Sequence, residues 1–175
     1  FPEFGRVWGQ VQFDIYHHYT TDEHLLLTLY HLHELKKKSF YKEIYSRLHQ
    51  KVALHVALLF HDIGKKGPKS HSIYGKELTQ KIFNRLPLSK EDQELTLWLI
   101  ENHLLMSDIA FKNDPQDPDT IASFTAVANT PEKINSLFLF TLCDIAAVGP
   151  NILNEWRISL LRSLLFNSKD FLQRG

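Results

Sequence analysis

The chain has 175 residues, of which 43% are apolar and 23% charged, enough for one soluble domain with a sizeable core. Twenty basic and twenty acidic residues cancel, so no net field favours nucleic acid or an anionic membrane. A single cysteine, Cys143, excludes an internal disulfide and fits a reducing compartment, and no apolar run reaches the ~18–20 residues of a membrane span. The chain opens on Phe1 with neither methionine nor signal peptide, as expected of a piece of a longer protein.

In chain order, the segments carry helical start and stop signals. "TTDEHLLLTLYHLHEL", from Thr20, has Thr20 and Glu23 at capping-box spacing, with Leu25, Leu29 and Leu32 on one face. "QKVALHVALLFHDIG", from Gln50, is apolar all round, which predicts a central buried helix with Gly64 placed to end it. "SHSIYGKELTQKIFNRL" starts at a Ser70 cap, and "SKEDQELTLWLIENH" at Ser89 with acids in its first turn. "DPDTIASFTAVAN" and "TPEKINSLFLFTLCDIAAVGP" each open with a cap residue followed by proline, and the second stops at Gly149-Pro150. "NEWRISLLRSLLFNSKDFLQR" is a last amphipathic helix. Strand-type alternation is absent at useful length, and no repeat or linker marks a second domain. The expectation is one all-α domain over 1–175.

Against that background a few polar residues stand out. His61 and Asp62 close an apolar run, and Asp144 lies inside "SLFLFTLCDIAAV". His24 opens the first long helix beside its apolar stripe, His71 follows the "GKKGPKS" loop, and His103 shares a face with Leu99. Burying such groups without partners costs roughly 2–7 kcal/mol for a neutral polar group and more for a charge. Any one of them alone reads as a satisfied core residue. Together, in the order His…His-Asp…His…His…Asp, they predict a shared metal, because imidazole and carboxylate are ligands of first-row divalent ions. One metal could take both His61 and Asp62, or Asp62 could bridge two. Imidazole with carboxylate suits Mn, Fe, Co or Zn better than Mg.

Lys65 follows Asp62 by three residues, near the same helix face, where an ammonium suits a phosphoryl oxygen. "KKGPK" lacks the spacing of a phosphate-cradling P-loop, and Cys143 in an apolar helix reads as inert. His55 is about 10 Å along the helix from Asp62, too far to share its ion. His31, His33 and His49 read as surface, and His17 and His18 are left unassigned.

These residues resemble the HD superfamily of metal-dependent phosphohydrolases. "HDIGK" matches the core signature, Asp144 the distal aspartate and His24 the upstream histidine. His71 in "HSIYG" and His103 in "ENH" resemble the extra histidines of members with two metals. More narrowly, "PEFGRVWGQVQFD", "YTTDEH", "WLIENHLLMSDIA", "DPDTIASF" and "LCDIAAVGPNILNEW" are similar to the HD domain of bifunctional uridylyltransferase/uridylyl-removing enzymes. The loop "KKGPKS" departs from that pattern in having fewer glycines and no acidic residue before His71.

The resemblance implies a helical bundle around a central metal site, ligated by His24, His61, Asp62, His71, His103 and Asp144. It implies two divalent ions, with Lys65 and Asp62 as catalytic residues. The implied reaction is hydrolysis of UMP from a uridylylated tyrosine of the PII signalling protein, in the cytoplasm. A preceding nucleotidyltransferase domain and following glutamine-sensing domains are also implied, and nucleotidyl transfer is not expected of this segment. The competing expectations are an HD phosphohydrolase acting on a free nucleotide, and a non-catalytic metal-bound regulatory module.

Overall fold

The computed structural model describes residues 1–11, 19–65 and 67–174, and these residues contain no β-strand. The helices are α1 (Pro2–Gly5), α2 (Thr21–Leu35), α3 (Ser39–Ser46), α4 (Lys51–Phe60) and α5 (His71–Ile82), the last running into a 3-10 turn at Phe83–Arg85. They continue with α6 (Lys90–Asn102), α7 (Leu105–Lys112), α8 (Pro118–Val127), α9 (Pro131–Ala146) and α10 (Glu155–Arg174). None is long and apolar enough to cross a membrane.

The expected caps form except at Ser70, which starts α5 without a side-chain cap, its hydroxyl paired with that of Ser72 at 2.9 Å. The Thr20–Glu23 capping box is complete. Ser89, Asp117 and Thr130 accept from the backbone N–H groups of Asp92, Thr120 and Lys133 at 3.0, 2.8 and 3.2 Å. Each such cap contributes about 1 kcal/mol and fixes where its helix begins. Helices α1, α3 and α7 are additional to the sequence expectation. The longer two have eight residues each and no side-chain cap, so neither periodicity nor a start signal marks them.

The centre of the bundle differs from the expectation. Helix α4 packs on α2, α6 and α9 but leaves Val52 51% exposed. The most enclosed helix is α9, in which Ile134 to Cys143 are buried without a break. Mean hydropathy reports that a helix is apolar, not which of its faces finds a partner.

Gly64 also differs. Helix α4 stops at Phe60, and the chain passes through tighter turns, with Ile63 N–H donating to Phe60 O and Lys65 N–H to Asp62 O. His61 and Asp62 therefore sit just past the helix rather than in it. Gly64 is not in the left-handed region. Its role is close approach: an added Cβ would overlap the carbonyl oxygen of His71 and the backbone nitrogen of Gly75. A Cβ on Gly75 would in turn lie 2.9 Å from His61 O. The turn carrying the His-Asp pair thus rests backbone-to-backbone on the first turns of α5.

Gly64→Ala should therefore destabilise by about 3 kcal/mol, lowering Tm by roughly 6–12 °C for a domain of this size. Thermal unfolding followed by circular dichroism checks this, and an unchanged Tm would show that the two backbones can part without cost.

Candidate metal centre

Three histidines of the cluster, His24, His61 and His103, are aimed by the ring nitrogen that faces away from it. His61 and His103 are the first residues beyond α4 and α6. Their Nδ1 atoms donate back to the carbonyls of Leu58 and Ile100, three residues earlier, at 3.0 and 2.7 Å. These carbonyls belong to the set that a helix C-terminus leaves without an intrahelical donor. His24, in the first turn of α2, donates from Nδ1 to the carbonyl of Ala147, just past α9, at 3.2 Å. With Nδ1 protonated, Nε2 points inward, as a lone pair in a neutral ring and as a second N–H where the ring is charged.

Those lone pairs meet other acceptors. His24 Nε2 lies 2.9 Å from Asp144 Oδ1, 3.4 Å from His61 Nε2 and 3.8 Å from Asp62 Oδ2. His61 Nε2 lies 3.3 Å from Asp144 Oδ1 and 3.5 Å from Asp62 Oδ2. On the other side of Asp62, His71 Nε2 is 3.8 Å from Oδ1 and 3.2 Å from His103 Nε2. Two trios of ligand atoms could each hold a metal ion: His24, His61 and Asp62, and Asp62, His71 and His103. Asp62 belongs to both. Beneath the rings lies Phe140, one helical turn before Asp144, its ring edge-on to His61 at 5.1 Å.

The electrostatics point the same way. Burial alone would raise the carboxyls of Asp62 and Asp144, but their partners together outweigh it, His61 and Lys65 at Asp62 and His61 with His24 at Asp144, and both lie well below the usual carboxylate range. Burial would lower His61, yet Asp62 and Asp144 outweigh that and raise it. Burial pushes His103 down to about 4 and also lowers His71, so both rings are neutral ligands at pH 7. Helices α4, α6 and α9 all end here, and helix C-termini carry partial negative charge. Acceptors facing acceptors at the negative ends of three helices need a cation, and the donor set fits a first-row divalent ion.

The cluster opens into a cleft of about 400 Å³ lined by Asp62, Lys65, His71, His103 and Asp144, and also by Phe111, Ile152 and Arg157. All six expected ligands converge there. Lys65 Nζ lies 2.6 Å from Asp62 Oδ2. His55 stays apart, its Nδ1 donating to Lys51 O at 2.7 Å. His33 and His49 are exposed, whereas His31, expected at the surface, is half-buried on α2 and its pKa is lowered by that burial. His17 and His18 lie outside the described residues. Arg157 was not anticipated; the stretch that carries the family resemblance ends one residue before it, at Trp156.

Residues 21–145 match the family model described as the HD domain. The chain belongs to the HD domain family. HD domains bind divalent metals, in keeping with the two trios. The chain is 41% identical to a bifunctional uridylyltransferase/uridylyl-removing enzyme of Ruegeria pomeroyi, over 99% of this chain and 20% of that protein. Proteins of the same name from Rhodospirillum rubrum and Azospirillum brasilense are 41% and 39% identical, over 99% of this chain and 19% of theirs. The chain thus spans about a fifth of the length of the curated relatives it matches.

Mn at about a hundredfold over its Kd should stabilise the fold by about 2.7 kcal/mol, raising Tm by roughly 5–10 °C. A chelator should reverse the shift. A Tm indifferent to Mn, Co and Zn would mean that the cluster holds no such ion.

Proposed function

We propose that this HD domain is a metal-dependent phosphodiester hydrolase that removes UMP from a uridylylated tyrosine of the PII signalling protein. The observation that carries this reading is a pair of histidine trios sharing Asp62 on the floor of an open cleft, with Lys65 at its edge. The relatives' printed name, uridylyl-removing enzyme, supplies the reaction. In this reading His24, His61, Asp62 and Asp144 hold one ion, and Asp62, His71 and His103 hold a second. Divalent ions bound there supply activated water at neutral pH and charge neutralisation for phosphoryl oxygens.

The chain's own residues do the rest. Phe140 and the buried ends of α4, α6 and α9 keep the floor dry, which strengthens every charge interaction above it. Asp62 holds its two oxygens toward the two trios, and Lys65 braces one of them while presenting an ammonium to the phosphoryl group. The leaving group is a tyrosine phenolate whose acid has a pKa of about 10, so departure without a strong general acid is feasible. Among the described residues, no further acid lines the cleft besides Asp62 and Asp144.

A modified protein suits this cleft better than a free nucleotide. Leu104 at its rim is 43% exposed and the side chain of His71 is 34% exposed, so a side chain carried on another protein can enter from solvent. We read residues 1–175 as one catalytic unit of a longer cytoplasmic chain, with a nucleotidyltransferase domain before it and glutamine-sensing domains after it.

Asp62→Ala should abolish metal retention and release of UMP from uridylylated PII together, measured by elemental analysis and by mass spectrometry of the PII tyrosine. Retained stoichiometric metal would refute the bridging role. The His71→Ala/His103→Ala double variant should lose one of two metal equivalents. If it binds as much Mn as wild type at saturation, the two histidines contact substrate instead.

A further inference from the structure

Among the described residues, a lysine and an arginine line the cleft, and they are held differently. The ammonium of Lys65 lies on Asp62. Arg157, near the start of α10, makes no ion pair among the described residues. Its Nη1 donates to the carbonyl oxygen of Ile152 at 2.8 Å, and its guanidinium carbon lies 5.5 Å from the centroid of the Phe111 ring. Phe111 is itself stacked on Trp156, with centroids 6.4 Å apart and planes 21° from parallel. The backbone N–H of Arg157 donates to the side-chain oxygen of Asn154, which fixes the start of the helix that carries it.

A guanidinium has five N–H donors, and protein atoms take few of these. A half-buried arginine with no acid to neutralise it loses solvation without gaining a Coulomb partner, unless a ligand supplies one. The carbonyl and the ring restrict its rotamers beforehand, so less entropy is lost when an anion docks. A planar fork of donors matches two oxygens of a phosphoryl group. The cleft's volume, about 400 Å³, lies within the range of small-ligand sites, and Arg157 lines it together with Asp62, Lys65 and His71.

We propose that Arg157 is a substrate-contacting residue whose guanidinium donates to the phosphoryl oxygens of the nucleotidyl group, from the wall that also carries Phe111. The role rests on the hydrolase reading above, and it assigns phosphate recognition to α10, outside the cluster of ligands.

The test uses the full-length protein loaded with Mn, as wild type, Arg157→Ala, Arg157→Gln and Arg157→Lys. UMP and uridine are titrated separately by calorimetry, with Mn stoichiometry and Tm measured on each variant. Hydrolysis of the p-nitrophenyl ester of UMP gives kcat and KM. Losing a charge-assisted contact should weaken UMP about 10–100-fold in the Ala and Gln variants. Uridine binding, Mn stoichiometry and Tm should hold, and Arg157→Lys should recover part of the loss. Unchanged UMP affinity, failure of wild type to bind UMP, or an equal loss of UMP and uridine each overturn the assignment. A wild type that binds UMP through Arg157 but hydrolyses neither the ester nor uridylylated PII would instead defeat the hydrolase reading.

Discussion

Every imidazole in the cluster whose Nδ1 is committed to a backbone carbonyl turns an acceptor toward other acceptors. That arrangement is unfavourable unless something positive stands among the lone pairs, and the rest of the molecule is arranged around that condition. Three helices deliver their C-terminal ends to one point, so their unsatisfied carbonyls orient the rings and add negative potential. Apolar packing then holds groups together that would separate in water. Phe140 under the rings and the ten-residue buried stretch of α9 are the firmest part of that packing.

The same condition sets the protonation pattern. Asp62 and Asp144 stay ionised despite burial because positive charge on His61 lies against both. His61 is the ring kept basic by those carboxylates, while His71 and His103 are neutral through burial. A divalent ion and a proton therefore compete for the trio of His24, His61 and Asp62. The trio of His71 and His103 with Asp62 has no such competition near neutral pH.

Much of this site was legible because polarity in the wrong place is informative. Asp144 inside "SLFLFTLCDIAAV" and His61-Asp62 at the end of "VALHVALLF" have no reason to sit in apolar surroundings except each other. Helix punctuation was readable for the same kind of reason: Thr20, Ser89, Asp117 and Thr130 each satisfy a backbone donor locally. What stayed hidden depends on tertiary arrangement. Helix α4 reads as central because it is apolar, but burial follows the neighbours, and α9 has more of them. Gly64 reads as a helix stop because glycine often is one; its close contact with α5 exists only in three dimensions. Nothing in the sequence singles out Arg157 on its amphipathic helix; its contacts with Phe111 and Ile152 exist only in the fold.

The contact at Gly64 and Gly75 has a mechanical side. Two backbones touching without side chains between them have no rotamers to rearrange, so the spacing between the turn of Asp62 and the start of α5 is stiff. If Asp62, His71 and His103 hold an ion as proposed, an ion of ill-fitting radius would not be accommodated by sliding α5. The mismatch would fall on the side-chain torsions of His71 and His103, the one partly exposed and the other closing a helix. Two residues that carry no ligand atom would then set a size limit on the site.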